Sequence, residues 1–142
     1  MHTKVLHARV NGFTLVELLV VLVILGLLVA LAAPRVMKYL GSARSDTARI
    51  QIERLSGILD IYRLEVGHYP TDQDGLQALV DKPAQADAWN GPYIKNRESL
   101  TDPWGAPYAY RSPGQHGEFD LYTLGADGKE GGEGADKDVT NW

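Results

Sequence analysis

Cysteine is missing from this 142-residue chain, so no disulfide can stabilise it. Small exported domains commonly rely on disulfides or on another covalent or metal constraint. The absence is therefore compatible with a reducing compartment. It is equally compatible with an exported domain that has a different source of stability, for which the acidic C-terminal segment is a candidate.

Positive charge is also scarce. The formal net charge is -4, and because the sequence has no basic cluster we expect no nucleic-acid partner. Catalytic signatures such as Gly-x-Ser-x-Gly and the phosphate loop are missing as well. His68 and His116 adjoin a predicted helix end and a predicted hairpin tip, where polar surface is the plain interpretation. We therefore expect that the chain is not an enzyme; a membrane-anchored hydrolase is the enzyme-class alternative.

A long apolar run follows a polar, basic N-terminus. Residues 1–12 contain Lys4 and Arg9 and no acid, whereas residues 13–33 are almost entirely apolar and uncharged with one exception. About twenty apolar residues are enough for a helix to cross a bilayer. The positive-inside rule then predicts a cytoplasmic N-terminus, with most of the chain on the other side of the membrane.

The exception is Glu17, a carboxylate near the start of the apolar run. An unpaired acid in a membrane helix costs about 2.5–3.5 kcal/mol on insertion scales. One interpretation is a simple single-span anchor in which Glu17 is tolerated near the membrane interface. The other is that Glu17 has a partner that makes its charge favourable.

The junction Gly12-Phe13-Thr14-Leu15-Val16-Glu17 resembles the processing signal of type IV pilins and type II secretion pseudopilins. This resemblance implies that a prepilin peptidase cuts between Gly12 and Phe13 and methylates the new amino terminus. It also implies that Glu17 pairs with the amine of a neighbouring subunit during assembly. Residues 1–12 would then be a cleaved leader, and 13–33 a transmembrane and polymerisation helix that packs against other copies.

After Pro34 the pattern becomes amphipathic, which predicts a single helix from Phe13 to about Val66 with a kink or local unwinding at Pro34. Gly67 is the predicted stop. Ten helix positions are expected to face a core: Val36, Leu40, Ala43, Thr47, Ile50, Leu55, Ile58, Leu59, Tyr62 and Val66. Residues 34–66 thus form the amphipathic half of the long helix.

The remaining residues, 67–142, predict a small region of loops and strands. Thr71 or Asp72 caps a short helix that Pro83 stops. Asp102-Pro103-Trp104-Gly105 is a turn signal. Strands are predicted at 107–111 and 118–123, joined by a hairpin loop at 112–117. The expected class is α+β: a type IV pilin-like fold in which the long helix packs on a small antiparallel sheet.

Several motifs in this region resemble the major pseudopilins of type II secretion: Gly67-x-Tyr69-Pro70-Thr71, Asp72-x-x-Gly75-Leu76, the turn at 102–105 and the ending Asn141-Trp142. The resemblance implies a major structural subunit that polymerises into a periplasmic pseudopilus and helps export folded proteins across the outer membrane. It implies a single-pass inner-membrane precursor with a periplasmic C-terminal domain. The implied partners are further copies of the chain, minor pseudopilins, prepilin peptidase, an inner-membrane platform protein and a secretion ATPase. A type IV pilus subunit and a membrane-anchored, calcium-dependent binding module are the alternatives.

The last sixteen residues are rich in acids and glycine. Composition alone favours a solvated acidic loop, although hard oxygen ligands on a flexible loop also suit calcium. The resemblance implies a calcium ion held by the side chains of Asp127, Asp136 and Asp138 and by the carbonyls of Leu124 and Lys129. A calcium ion that binds only the folded loop would stabilise the domain, as a disulfide otherwise would.

Overall fold

A computed structural model of the protein describes residues 12–142. Its first element is a 52-residue α-helix, α1, from Leu15 to Val66. The helix is continuous through Pro34, so the local unwinding expected there does not occur. A proline in a helix interior removes one backbone hydrogen bond, and the long flanking segments retain theirs.

The end of α1 confirms the predicted stop. Gly67 has a φ of +94°, a left-handed conformation that glycine adopts without steric cost. Its amide donates to the carbonyl of Arg63 at 2.8 Å, which satisfies one of the carbonyls left free at a helix end. The chain therefore leaves the helix at a glycine in the left-handed conformation.

The chain divides into two compact units, one ending at Met37 and one running from Lys38 to Trp142. In the second unit α1 buries one face in a hydrophobic core. The buried helix residues are Ala48, Ile52, Leu55, Leu59 and Tyr62. They pack with Leu79, Ile94, Tyr108, Leu121 and Val139 from the rest of the unit.

Five of the helix positions expected to face the core do not. The exposed fraction of Ile50 is 65 %, and the five exposed positions are Val36, Leu40, Ala43, Thr47 and Ile50. Ala48 and Ile52, four residues apart, define the buried face instead. The expectation was wrong because the helix carries apolar residues on more than one face, and spacing alone does not choose between them.

The sheet has three strands: β1 (Ala109–Arg111), β2 (Asp120–Thr123) and β3 (Val139–Thr140). The order is β1-β2-β3, and both pairings are antiparallel. The predicted hairpin and the α+β class are confirmed, although both predicted strands are shorter than expected. The third strand was not predicted. It is held beside β2 by Asn141, whose side chain accepts from the amide of Leu121 at 2.8 Å and donates to the carbonyl of Phe119 at 3.2 Å.

Short 3-10 helices connect α1 to the sheet, at Gly75–Leu79 and Arg97–Leu100, and a further one, Gly134–Asp136, lies in the acidic tail. The first occupies the position where a short helix was predicted. Thr71 and Asp74 precede it and bond reciprocally: the Thr71 amide donates to Asp74 Oδ2 at 3.3 Å, and the Asp74 amide donates to Thr71 Oγ1 at 3.2 Å. The N-cap of this helix is Asp74, which makes no side-chain cap bond. The prediction that Thr71 or Asp72 caps the helix was therefore wrong, because Thr71 closes the turn before it instead.

The turn at 102–105 is organised by the carboxylate of Asp102, whose residue is 5 % exposed. Oδ1 accepts the amides of Trp104 and Ala106, each at 2.9 Å. Oδ2 accepts the hydroxyl of buried Thr123 on β2. One side chain therefore closes a turn and ties it to the central strand.

Candidate functional site

The start of α1 carries the first group of predicted functional residues. Gly12, Phe13 and Thr14 precede the helix in irregular structure and are exposed. Glu17 lies in the first helical turn, where the helix dipole favours negative charge. The predicted cleavage point between Gly12 and Phe13 is therefore accessible and lies outside regular structure.

Thr14 and Glu17 form a reciprocal pair at this helix start. The amide and hydroxyl of Thr14 donate to Glu17 Oε2 at 3.0 and 3.1 Å, and the Glu17 amide donates to Thr14 Oγ1 at 3.2 Å. This is the capping-box arrangement, which satisfies amides that a helix start leaves unpaired. Sequence analysis missed this role, although the Thr-x-x-Glu spacing is its known signal.

The apolar segment after Glu17 is exposed in the part of the chain that the structure describes. Within the described residues, α1 is the one helix long and apolar enough to cross a membrane, and its most apolar window is 0 % buried. One such helix near an N-terminus is weak support for a membrane span by itself. An uncovered apolar surface of this size does require lipid or protein around it, which favours membrane anchoring.

The acidic tail holds the second group of predicted residues. Asp127 Oδ1 accepts the amide of Lys129 at 3.0 Å, which closes a local turn. Asp138 Oδ2 accepts the amide of Gly131 at 2.9 Å. The other oxygen, Asp138 Oδ1, is buried and has no hydrogen-bond partner. A buried carboxylate oxygen without a partner is costly, so this atom marks a place where a cation would be favourable.

The structure gathers only part of the predicted ligand set. Leu124 and Asp138 line one cavity of about 290 Å³, whereas Asp127, Lys129 and Asp136 do not line it. Between residues 12 and 142, no three His, Cys, Asp or Glu side chains are grouped closely enough to hold a metal ion. The calcium set thus stays a prediction, and Asp138 is the member on which the structure bears most directly.

The backbone of the tail is closely packed at Gly125. This glycine has a φ of +69°, and a Cβ built on it would lie 2.7 Å from the backbone carbon and oxygen of Asp136. The next amide, that of Ala126, donates to the carbonyl of Ala135 at 3.0 Å. The two ends of the acidic segment are therefore held side by side by backbone contacts.

The same cavity is also lined by aromatic rings and a buried acid. The rings of His116 and Trp142 stack with centroids 4.0 Å apart and planes 4° from parallel. His116 Nδ1 lies 3.2 Å from Asp120 Oδ2, and Asp120 also accepts the amides of Gln115 and His116. Burial by itself would raise the pKa of Asp120, but these hydrogen bonds and the nearby imidazole outweigh it and lower the pKa.

Known families match nearly the whole chain. Residues 35–142 match the family described as "Type II secretion system (T2SS), protein G". Residues 7–33 match the "Prokaryotic N-terminal methylation motif", which contains the predicted cleavage point and Glu17. The two matches meet near Pro34, so the helix start and the sheet region each have known relatives.

Similar proteins are named "Type II secretion system core protein G". That of Pseudomonas aeruginosa is 48% identical over 136 residues, which cover 93% of this chain and 94% of the relative. That of Vibrio cholerae is 46% identical over 135 residues, covering 93% and 91%. Among solved structures, a crystal structure of the major pseudopilin from the type 2 secretion system of enterohaemorrhagic Escherichia coli matches with a TM-score of 0.61 and 34% identity. It covers 75% of this chain and 92% of that chain.

Proposed function

The chain belongs to the type II secretion system protein G family, and on that premise we propose that it is the major structural subunit of a secretion pseudopilus. The subunits polymerise into a periplasmic fibre that helps move folded proteins across the outer membrane. The observation that best supports this role is an exposed apolar helix that begins within a methylation motif and continues into the region matching protein G. The proposed role is structural, and ATP hydrolysis belongs to a partner.

We propose that the precursor sits in the inner membrane with residues 1–12 in the cytoplasm and the sheet region in the periplasm. Prepilin peptidase cuts between Gly12 and Phe13 and methylates Phe13. Support comes from the methylation-motif match over 7–33 and from the exposure of Gly12 and Phe13 ahead of α1. The further proposed partners are minor pseudopilins, the inner-membrane platform protein and the secretion ATPase.

Mass spectrometry of the processed N-terminus tests this step. The expected product in cells with prepilin peptidase begins with methylated Phe13. A Gly12→Ala variant tests the requirement for glycine at the cleavage point, and it is expected to keep its leader. A wild-type chain that retains Met1 in such cells contradicts both the processing step and the proposed class.

Glu17 is proposed to recruit subunits through its charge. Cleavage creates a positive amine on Phe13, and an incoming copy brings this amine to a carboxylate that is otherwise costly in an apolar segment. Because Glu17 Oε2 already accepts two bonds from Thr14, the helix-capping role and the charge role must be separated experimentally.

Three variants make that separation. Glu17→Ala removes both charge and cap, Glu17→Gln keeps an oxygen that can cap the helix but removes the charge, and Thr14→Val removes the capping hydroxyl but leaves the charge. Sheared fibres are quantified from cells that express each variant at equal levels. We expect both Glu17 variants to lose assembly and Thr14→Val to retain most of it. Normal assembly of Glu17→Gln would show that the charge is not required.

We also propose that the acidic tail binds calcium. The proposal is supported by the donor type, since the available donors are oxygens, which calcium prefers, and by Asp138 Oδ1, which is buried without a partner. Asp138 and the carbonyl of Leu124 would hold it from the cavity wall, with Asp127, Asp136 and the carbonyl of Lys129 from the same tail. When bound, the ion neutralises the tail and stabilises the folded domain.

Thermal unfolding of the full chain in detergent micelles, with calcium or with a chelator, tests this proposal. At a free calcium concentration 100 times Kd, binding to the folded form adds about 2.7 kcal/mol of stability. We expect Asp138→Asn and Asp127→Ala to lose the calcium-dependent rise in Tm. Equal Tm values for the wild-type chain with and without calcium would contradict the proposal.

A further inference from the structure

Asn90 and Gly91 form a dipeptide whose chemistry the proposed function does not use. Asn-Gly occurs in the sequence as Asn11-Gly12, at the end of the proposed leader, and as Asn90-Gly91. Asparagine is among the thermolabile residues of proteins, because the backbone nitrogen of the following residue can attack its side-chain carbonyl carbon. A following glycine favours this attack, since it has no Cβ to obstruct the approach and its backbone is conformationally free.

Neither of the two reacting groups is held in place by a hydrogen bond. Asn90 lies in an irregular loop and is exposed. Within residues 12–142, no hydrogen bond involves its side-chain amide or the backbone amide of Gly91. The backbone amide of Asn90, which takes no part in the attack, donates to the hydroxyl of Tyr93 at 3.3 Å. The loop is therefore anchored beside the labile bond, while the attacking nitrogen and its target carbon are not.

Packing requires a glycine at position 91. A Cβ built on Gly91 would lie 2.5, 2.8 and 2.9 Å from three carbons of the Trp89 ring, closer than a side chain tolerates. The ring is not free to move away, because Trp89 is half-buried and its Nε1 donates to the carbonyl of Ala78 at 2.8 Å. The residue that makes the Asn90-Gly91 bond labile is thus the one that fits beside this ring.

We propose that Asn90 is a site of spontaneous covalent modification, which converts its side-chain amide to a carboxylate and loosens the attachment of the loop to α1. The Gly91 nitrogen loses its proton to water and bonds to Asn90 Cγ, and the Cγ–Nδ2 bond breaks to release ammonia. Water then opens the cyclic imide. Opening at Cγ gives aspartate, whereas opening at the backbone carbonyl gives isoaspartate, whose main chain runs through Cγ. The net reaction is hydrolysis of an amide, without oxidation or reduction.

The loosening follows from the position of the modified bond. Isoaspartate lengthens the main chain by one methylene between the Asn90 amide and Gly91. That amide donates to the Tyr93 hydroxyl, which in turn donates to Glu65 Oε2 on α1 at 2.5 Å. The inserted methylene therefore lies next to the bonds that link this loop to the long helix. Because the reaction needs only water, it is independent of the proposed secretion role, and the converted fraction records the age of the chain.

The test is mass spectrometry of the full chain after incubation in detergent micelles at mildly alkaline pH. Digestion at glutamates gives one peptide, residues 66–98, that contains both Asn90 and Asn96. Asn96 is also exposed but precedes the bulky Arg97, so it is a matched control. We expect replacement of NH by O at Asn90 several-fold faster than at Asn96, and no such replacement in Asn90→Gln, whose longer side chain closes the ring slowly. Absence of conversion at Asn90, or equal conversion at Asn96, overturns the assignment.

Two further measurements test the structural argument. Exposed loops open at little cost in free energy, so Asn90 in the folded chain should convert within about tenfold of its rate in urea. A larger suppression by folding shows that packing protects the site and overturns the proposal. Anion exchange separates the converted chains, which contain isoaspartate, by their additional negative charge. Their Tm should lie below that of Asn90→Asp, which has the same charge on an unaltered main chain; equal Tm values overturn the proposed loosening.

Discussion

Asp102 offers the most demanding test of how the domain is held together. Its buried carboxylate accepts two amides of the turn, those of Trp104 and Ala106, and the hydroxyl of Thr123 on the central strand. Asp102→Ala removes all three bonds together and leaves their donors without a partner. The substitution should therefore loosen the turn and its attachment to β2 at the same time.

The size of the loss follows from these bonds. A hydrogen bond to a charged group contributes about 1.5–3 kcal/mol, so at the lower bound three bonds give about 4.5 kcal/mol. For a domain of about this size each kcal/mol shifts Tm by about 4–8 °C, which predicts a fall of about 18–36 °C. Asp102→Asn keeps one acceptor oxygen and an amide that can face Thr123, so its loss should be much smaller. Thr123→Val removes one bond of the three and should cost about 1–3 kcal/mol.

Near-UV circular dichroism of the full chain in detergent micelles provides the assay, because Trp104 adjoins the turn and reports its packing. The expected order of Tm is wild type, then Thr123→Val and Asp102→Asn, then Asp102→Ala. A chelator is present throughout, so that calcium does not contribute. If Asp102→Ala melts within a few degrees of the wild-type chain, the carboxylate does not tie the turn to β2 and the reasoning is wrong.

Two further predictions use the same melting assay. The lowered pKa of Asp120 means that its contribution to stability is present above the unfolded value of about 3.9 and is lost as pH falls through the folded value. Asp120→Asn should therefore lower Tm at pH 7, and the two chains should converge as pH falls through the lowered folded pKa of Asp120. Leu59→Ala, at a fully buried position, should cost about 2–5 kcal/mol, whereas Leu64→Ala, at a residue 83% exposed, should change stability by less than about 0.5 kcal/mol.

Sequence reasoning succeeded where the signal is local. The stop of α1 depends on a single glycine at 67, and the β1–β2 hairpin depends on alternation and turn residues within about fifteen positions. The start of α1 was equally readable, because Thr14 and Glu17 have the capping-box spacing. The charge of Glu17 in an apolar run is the more conspicuous signal and hides its role as a helix cap.

Features that depend on contacts between residues far apart in the sequence could not be predicted from local patterns. β3 is two residues long, too short for any periodicity, and its position depends on Asn141 bonds to residues about twenty positions earlier. The placement of Ile50 outside the core depends on which face of α1 the sheet region covers. The cavity that Leu124 and Asp138 line forms only when the tail folds back beside β2, so sequence spacing could not show it.

The length of the sheet edges has a consequence for a subunit proposed to stand close to many copies of itself. β2 is the middle strand, and the outer strands β1 and β3 have three and two residues. Exposed strand edges can pair with other chains and start fibrous aggregation, and short edges limit this. Crowded copies of this domain thus expose few unpaired strand groups to one another, which favours ordered helix and side-chain contacts over amyloid-like pairing.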